Sequence, residues 1–214
     1  MGIQFNWQRT MDTGFILGNR LYDPQQSENL ADRSICAAVL VVQIYDGNTT
    51  GTEANYDLPD YSHILKATAT LNGGHVLHAQ DNTLQAFFHA KHSGKQQTSQ
   101  AVMTAFTLMD QVTAINQYRH TIGASSLRIS IGIDTGPITI HVNHYSANTQ
   151  ATGKSLQIAD DLCELNKQAP FPAIFISAQT YQYLPESVSW QVENLGDTLW
   201  AAQQTLAVYA LMPC

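Results

Sequence analysis

Between Cys36 and Tyr45 the chain is a continuous apolar run, interrupted only by Gln43 and stopped by Asp46-Gly47-Asn48. Its length and its β-branched content suit a strand buried in the middle of a sheet, followed at once by a turn. No apolar stretch in the sequence approaches the roughly 20 residues that cross a bilayer, and the longest, around Ile35–Ile44, is broken by Gln43. A chain of 214 residues, 44% of them hydrophobic, can bury one well-packed core with a short extension, and a second independent domain would be cramped.

The rest of the pattern arranges itself around that strand. Residues 1–33 are irregular, with scattered Phe5, Trp7, Phe15 and Leu21 and a polar Asp23–Ser27 stretch, and are expected to be an extension packing on the core. Residues 34–214 are expected to form the domain itself. After Pro59, Ile64, Leu65, Ala67 and Leu71 carry a helical period that Asn72-Gly73-Gly74 closes. His75–Ala79 and Thr83–Phe88 read as strands joined by Gln80-Asp81-Asn82, which is hairpin chemistry. A long helix is predicted over about 98–121, with Val102, Ala105, Phe106, Met109, Val112 and Ile115 on one face.

Leu127–Ile133 alternates, and Asp134-Thr135-Gly136-Pro137 is expected to turn it into a second strand over Ile138–Asn143. Thr152–Asn166 reads as a helix, Ala173–Ser177 as a strand and Gln179–Leu184 as a short helix. The tail from Val188 to Leu211 has room for two or three further strands. The order implies an α+β fold, a mixed and mainly antiparallel sheet with the helices on one face.

Several strings, in this order, resemble the catalytic domain of class III adenylate and guanylate cyclases from about Arg33 to Leu211. Arg128-Ile-Ser-Ile-Gly-Ile-Asp-Thr-Gly-Pro137 is similar to the family's R-I-G-I-H-x-G hairpin. Gly73-Gly74-His-Val-Leu-His-Ala-Gln-Asp81 is similar to its G-G-x-V-x-K-x-x-G-D hairpin. Glu193-Asn-Leu-Gly196 and Val208-Tyr-Ala-Leu211 look like its D-L-G and V-Y-x-L endings. The resemblance implies a ferredoxin-like βαββαβ core.

In that family two chains pair head to tail and share their active sites. Two Asp residues hold two metal ions, which neutralise the triphosphate and activate the ribose 3′ hydroxyl. The resemblance puts Gln43 at the first metal position, in Val42-Gln43-Ile44-Tyr45-Asp46-Gly47-Asn48-Thr49, where the family reads F-A-D-I-x-G-F-T. Asp81 matches the second, and Asp46 is a weaker candidate ligand that a refolded turn would have to bring in. The purine-reading Lys has no counterpart, since Leu77 or His78 occupies its region. In the family's G-D-x-V-N-x-A-x-R helix, Lys154 replaces the base reader, Gln157 the ribose-binding Asn and Asp161 the phosphate-stabilising Arg. A carboxylate where a cation should meet a triphosphate reverses the sign of an electrostatic contribution to catalysis.

The expectation is therefore a catalytically degenerate cyclase homology domain that acts in signalling by dimerisation or partner binding. It would form a homodimer, or a heterodimer with another cyclase-like or signalling protein. A divergent cyclase making a cyclic nucleotide from ATP or GTP, and a sensor that binds nucleotide without turnover, are the alternatives. No cofactor is expected, with Mg or Mn the ions to look for if activity or nucleotide binding remains.

Other chemistries find little support. A formal net charge of -7, with only 13% charged residues, argues against nucleic acid or an anionic membrane as partner. Cys36, Cys163 and Cys214 fit neither a disulfide framework nor a zinc cluster, and reduced thiols in the cytoplasm are the economical reading. No basic segment leads into an apolar stretch at the start, so no signal peptide is expected.

His89/His92 and His141/His144 have spacings that can bind zinc, with solvated or hydrogen-bonded histidines as the default. Gly153-Lys154-Ser155 ends like a P-loop, but Asn148 stands where its first glycine belongs and no buried strand leads in. No G-x-S-x-G string supports a serine hydrolase.

Overall fold

The structure, a computed structural model, describes residues 32–47, 58–90, 94–142, 149–186, 190–200 and 204–212. The expectation for residues 1–33 falls almost wholly outside them. The elements run β1 (Arg33–Asp46), α1 (Ser62–Leu71), β2 (His75–Gln80), β3 (Thr83–Phe88), α2 (Gly94–Thr121) and β4 (Leu127–Val142). They continue with β5 (Thr149–Thr152), α3 (Lys154–Asn166), β6 (Ile174–Ser177), α4 (Ala178–Gln182), β7 (Gln191–Trp200) and β8 (Gln204–Met212).

The strands form one sheet in the order β2-β3-β1-β4-β6-β8-β7, with β5 paired to β4. The first part, β2-β3-β1-β4, is the ferredoxin-like βαββαβ arrangement, and every pairing is antiparallel except β4 with β6. The tail supplies two strands, β7 and β8, whose ladder shifts register between Asn194 and Gly196.

The apolar run of β1 lies at the centre, between β3 and β4. Because side chains alternate across a strand, its residues divide between two cores. Ala38, Leu40, Val42 and Ile44 pack with Leu65 and Ala69 of α1 and with Ala101, Val102, Ala105 and Leu108 of α2. Ile35, Ala37, Val39 and Val41 pack against Leu156, Ala159 and Cys163 of α3. The expectation that all helices share one face is thus corrected: α1 and α2 cover one side and α3 the other. The physical reason is the run itself, since a strand apolar on both sides needs cover on both.

A second correction concerns Asp134-Thr135-Gly136-Pro137, which does not turn. Arg33 to Asp46 pairs without interruption with Ile140 back to Leu127, so β4 is one strand with Pro137 opposite Cys36. On its other edge, β4 pairs with β6 at Gly132 and Ile133 and with β5 from Thr139 to Val142. Pro137 falls in the gap, where a missing N–H breaks no ladder bond. The strand changes which core it serves along its length. Ile131 and Ile133 face α1 and α2, whereas Ile138 faces α3.

Candidate functional site

The β2–β3 turn fixes the position of Asp81. Asp81 and Asn82 both have positive φ, 52° and 59°, as a two-residue hairpin turn of the right twist demands. Asn82 is buried and ties the turn to the start of α1: its Oδ1 accepts from the Tyr61 N–H at 2.5 Å and its N–H donates to the Ser62 hydroxyl at 3.1 Å. Asp81 itself is exposed, with Gln80 donating to its carboxylate at 3.4 Å.

Gln43 lies next to that turn. It is paired with Thr83 on β3 and with Ser130 on β4, and the N–H of its neighbour Ile44 donates to the Asn82 carbonyl at 2.9 Å. By strand alternation Gln43 is on the α3 face and half-buried. The sheet therefore brings Gln43, a neutral amide, beside the Asp81 hairpin.

Asp46 is placed elsewhere. Three residues beyond Gln43 along the strand, it turns to the α1–α2 face, where the Ser125 hydroxyl donates to its Oδ2 at 2.5 Å. Arg119, in the last turn of α2, donates from Nε to the Ser125 carbonyl at 2.6 Å and from Nη2 to its hydroxyl at 3.3 Å. Asp46 thus belongs to a link between the end of β1 and the α2–β4 connection.

Lys154, Gln157 and Asp161 are spaced three and four residues apart on α3, which aligns them along one stripe. Lys154 and Gln157 are exposed and Asp161 half-buried, while Leu156, Ala159 and Cys163 bury the opposite side. The helix sits close to the sheet at Gly132, where a Cβ would lie 2.1 Å from the Ala159 carbonyl oxygen and 2.4 Å from the Cys163 nitrogen. Next to Asp161, the Asp160 carboxyl is held above its ordinary range by partial burial and then by the carboxylates of Glu164 and Asp161. Lys167 pairs with Glu164.

Asp134, which the sequence pattern places in a turn, is a buried residue of β4. It is 3% exposed and accepts hydrogen bonds from the hydroxyls of Ser177 and Ser155 and from the Thr135 N–H. Gly136 leaves the space for this, since a Cβ there would lie 2.4 Å from Ser155 Oγ. Burial pushes the Asp134 carboxyl up despite those bonds. The same Ser177 Oγ accepts from the Thr180 N–H at 3.1 Å, and on the α2 side Thr180 and Thr98 meet Thr135 Oγ1 at 3.2 and 3.1 Å. The signal was the phase of the β4 isoleucines, which changes at this point.

Of each sequence-predicted histidine pair, one member is described. His89 Nδ1 contacts the Cys36 carbonyl at 3.0 Å, and His141 bridges Asp32 and Thr152 at 2.8 Å each. Their partners His92 and His144 lie outside the described residues. Among the described residues no group of three His, Cys, Asp or Glu side chains could hold a metal ion. Cys36 and Cys163 are free, and burial pushes the Cys163 thiol up to about 12. The strand into Gly153-Lys154-Ser155 is the mostly exposed β5. No described helix is long and apolar enough to cross a membrane.

No protein-family model matches the sequence, and no curated protein matches it. Solved structures do. The adenylyl cyclase CyaB from P. aeruginosa superposes with a TM-score of 0.72 at 17% identity, covering 86% of this chain and 97% of that one. The guanylate cyclase domain of RhGC from Catenaria anguillulae, solved with GTP, gives 0.63 at 15% identity over 84% and 98%. A non-canonical dimeric guanylyl cyclase domain of the RhoGC fusion protein from Blastocladiella emersonii gives 0.63 at 16% identity over 84% and 98%. From β1 to β8 the chain carries the fold of a class III nucleotide cyclase catalytic domain.

Proposed function

We propose that this chain is a catalytically silent cyclase homology domain that works in signalling as a dimerising or partner-binding module, in the cytoplasm. The observation that carries the reading is Gln43: a neutral amide stands beside the Asp81 hairpin where the cyclase resemblance calls for the first metal-binding Asp. Hard divalent cations prefer anionic oxygen, and two ions sharing one carboxylate lose most of that attraction. Asp46 is a poor replacement because its Oδ2 is held by Ser125 on the other face of the sheet.

Pairing with a complete cyclase does not repair the deficit. In the family the two chains share their active sites, and the resemblance puts the metal carboxylates on β1 and the β2–β3 hairpin and the ribose and phosphate contacts on the third helix. This chain differs in both halves. Gln43 alters the first, and Gln157 and Asp161 alter the second, on a helix whose Asp160, Asp161 and Glu164 already crowd negative charge together. On that stripe Asp161 offers a carboxylate where the resemblance calls for an Arg, with Lys154 the cation at the helix start. A surface for association remains: Tyr181, stacked on Tyr209 at 4.4 Å, and Val192 expose apolar area at the β7–β8 end of the sheet.

A test is calorimetry with Mn and ATP or GTP, run on the chain alone and on an equimolar mixture with an active cyclase domain. The reading predicts no triphosphate binding by the chain alone and no extra product in the mixture. Saturable binding without product would favour a nucleotide sensor. Product that disappears in Asp81→Ala would establish a divergent cyclase and remove the reading.

A further inference from the structure

A pocket of about 480 Å³ opens between the second half of α2, the start of β4 and the connection from α3 to β6. Its size is that of small-molecule sites. Met109, Val112, Phe171 and Pro172 supply apolar walls. Its floor is the edge of β4 that faces away from β1. Leu127 and Ile131 turn their main-chain groups to that edge, and both are capped by side-chain amides. Asn116 donates to the Leu127 carbonyl at 2.9 Å and accepts from its N–H at 2.7 Å, while Asn166 Oδ1 accepts from the Ile131 N–H at 2.9 Å. Alternation along an antiparallel strand points Ile129 the same way. Its N–H and C=O have no partner among the described residues, since β6 joins β4 only from Gly132 onward.

The open edge is therefore a single residue long. A peptide strand docking there would need the neighbouring groups that the two asparagines already hold, so a compact molecule fits and an added strand does not. What Ile129 offers is one donor and one acceptor side by side, against apolar walls. We infer that this pocket binds a small planar molecule carrying a hydrogen-bond acceptor and donor on one edge, as cyclic amides and nucleobases do. Its ring would lie among Met109, Val112 and Phe171. Neither Gln43 nor Asp81 lines this pocket, and its occupation needs no triphosphate or metal.

The experiment is an amide-resolved NMR titration of the full chain with 2-pyridone, N-methyl-2-pyridone and uracil. The expected result is a saturable shift of the Ile129 amide and its neighbours with 2-pyridone. The N-methyl compound, which keeps the ring and loses the donor, should bind at least about tenfold more weakly, because the Ile129 carbonyl is then buried unpaired. Thr113→Phe, at an exposed position lining the pocket, should abolish the shift and leave the melting temperature unchanged. Uracil binding at the same amides would assign a nucleobase edge, and 2-pyridone binding alone a simple lactam; either supports the site. Equal affinity for the methylated compound, shifts away from Ile129, or no saturable shift with any of the three would overturn it.

Discussion

Gly132 sits where α3 comes closest to the sheet, and its lack of a side chain is what permits that approach. A methyl group there would meet backbone atoms of Ala159 and Cys163 at 2.1 and 2.4 Å, and backbone cannot step aside as a flexible side chain would. Gly132→Ala should therefore destabilise the domain by about 2 kcal/mol or more, read as a lower midpoint in urea. Asp134 makes the opposite kind of statement. Its folded value is raised above the ordinary 3.8, so the folded protein holds a proton that the unfolded chain releases first. The stability this contributes is complete below 3.8 and is lost as pH rises through the raised folded value. Compared with Asp134→Asn, the wild type should lose stability as pH climbs through that window, measured as the difference in urea midpoints. A constant difference would show that the carboxyl does not titrate there.

At the scale of the element, β4 shows what a pattern can conceal. Its first half buries odd-numbered isoleucines under α2 and its second half buries Ile138 under α3, so the alternation changes phase without any bend. Together with Gly136 and Pro137 that phase change reads as a turn, and only the uninterrupted pairing with β1 corrects it. The β2–β3 hairpin was legible because its turn chemistry is local: Asp81 and Asn82 tolerate positive φ, and nothing distant contradicts them. The placement of α3 was not legible, because it depends on β1 being apolar on both sides and on the space at Gly132. Asn116 anchors the start of β4 through both of its amide atoms. Asn116→Ala should cost about 1–2 kcal/mol of stability with the β1–β4 register intact, visible as faster amide exchange confined to the first residues of β4.

At the scale of the whole molecule, the order of short strings along the chain was enough to anticipate a cyclase-like sheet, and the superposition on CyaB over 86% of the chain agrees. The nearness of Gln43 to the Asp81 hairpin followed too, because the β1–β3 ladder that the strand order implies pairs Gln43 with Thr83. Strand alternation already turns Asp46 to the face opposite Gln43, but its hydrogen bond to Ser125 was not legible, because it spans the α2–β4 connection. On the proposed reading, Asp81 is the one carboxylate kept beside a neutral Gln43, and α3 carries Asp161 where the family resemblance calls for an Arg. The measurement that bears most directly on it is cyclic nucleotide formation by the purified chain with Mn and either ATP or GTP, followed by mass spectrometry beside the Asp81→Ala variant. The account predicts that neither protein yields cyclic AMP or cyclic GMP above the protein-free control. Product from the wild type that is absent from the variant would contradict it.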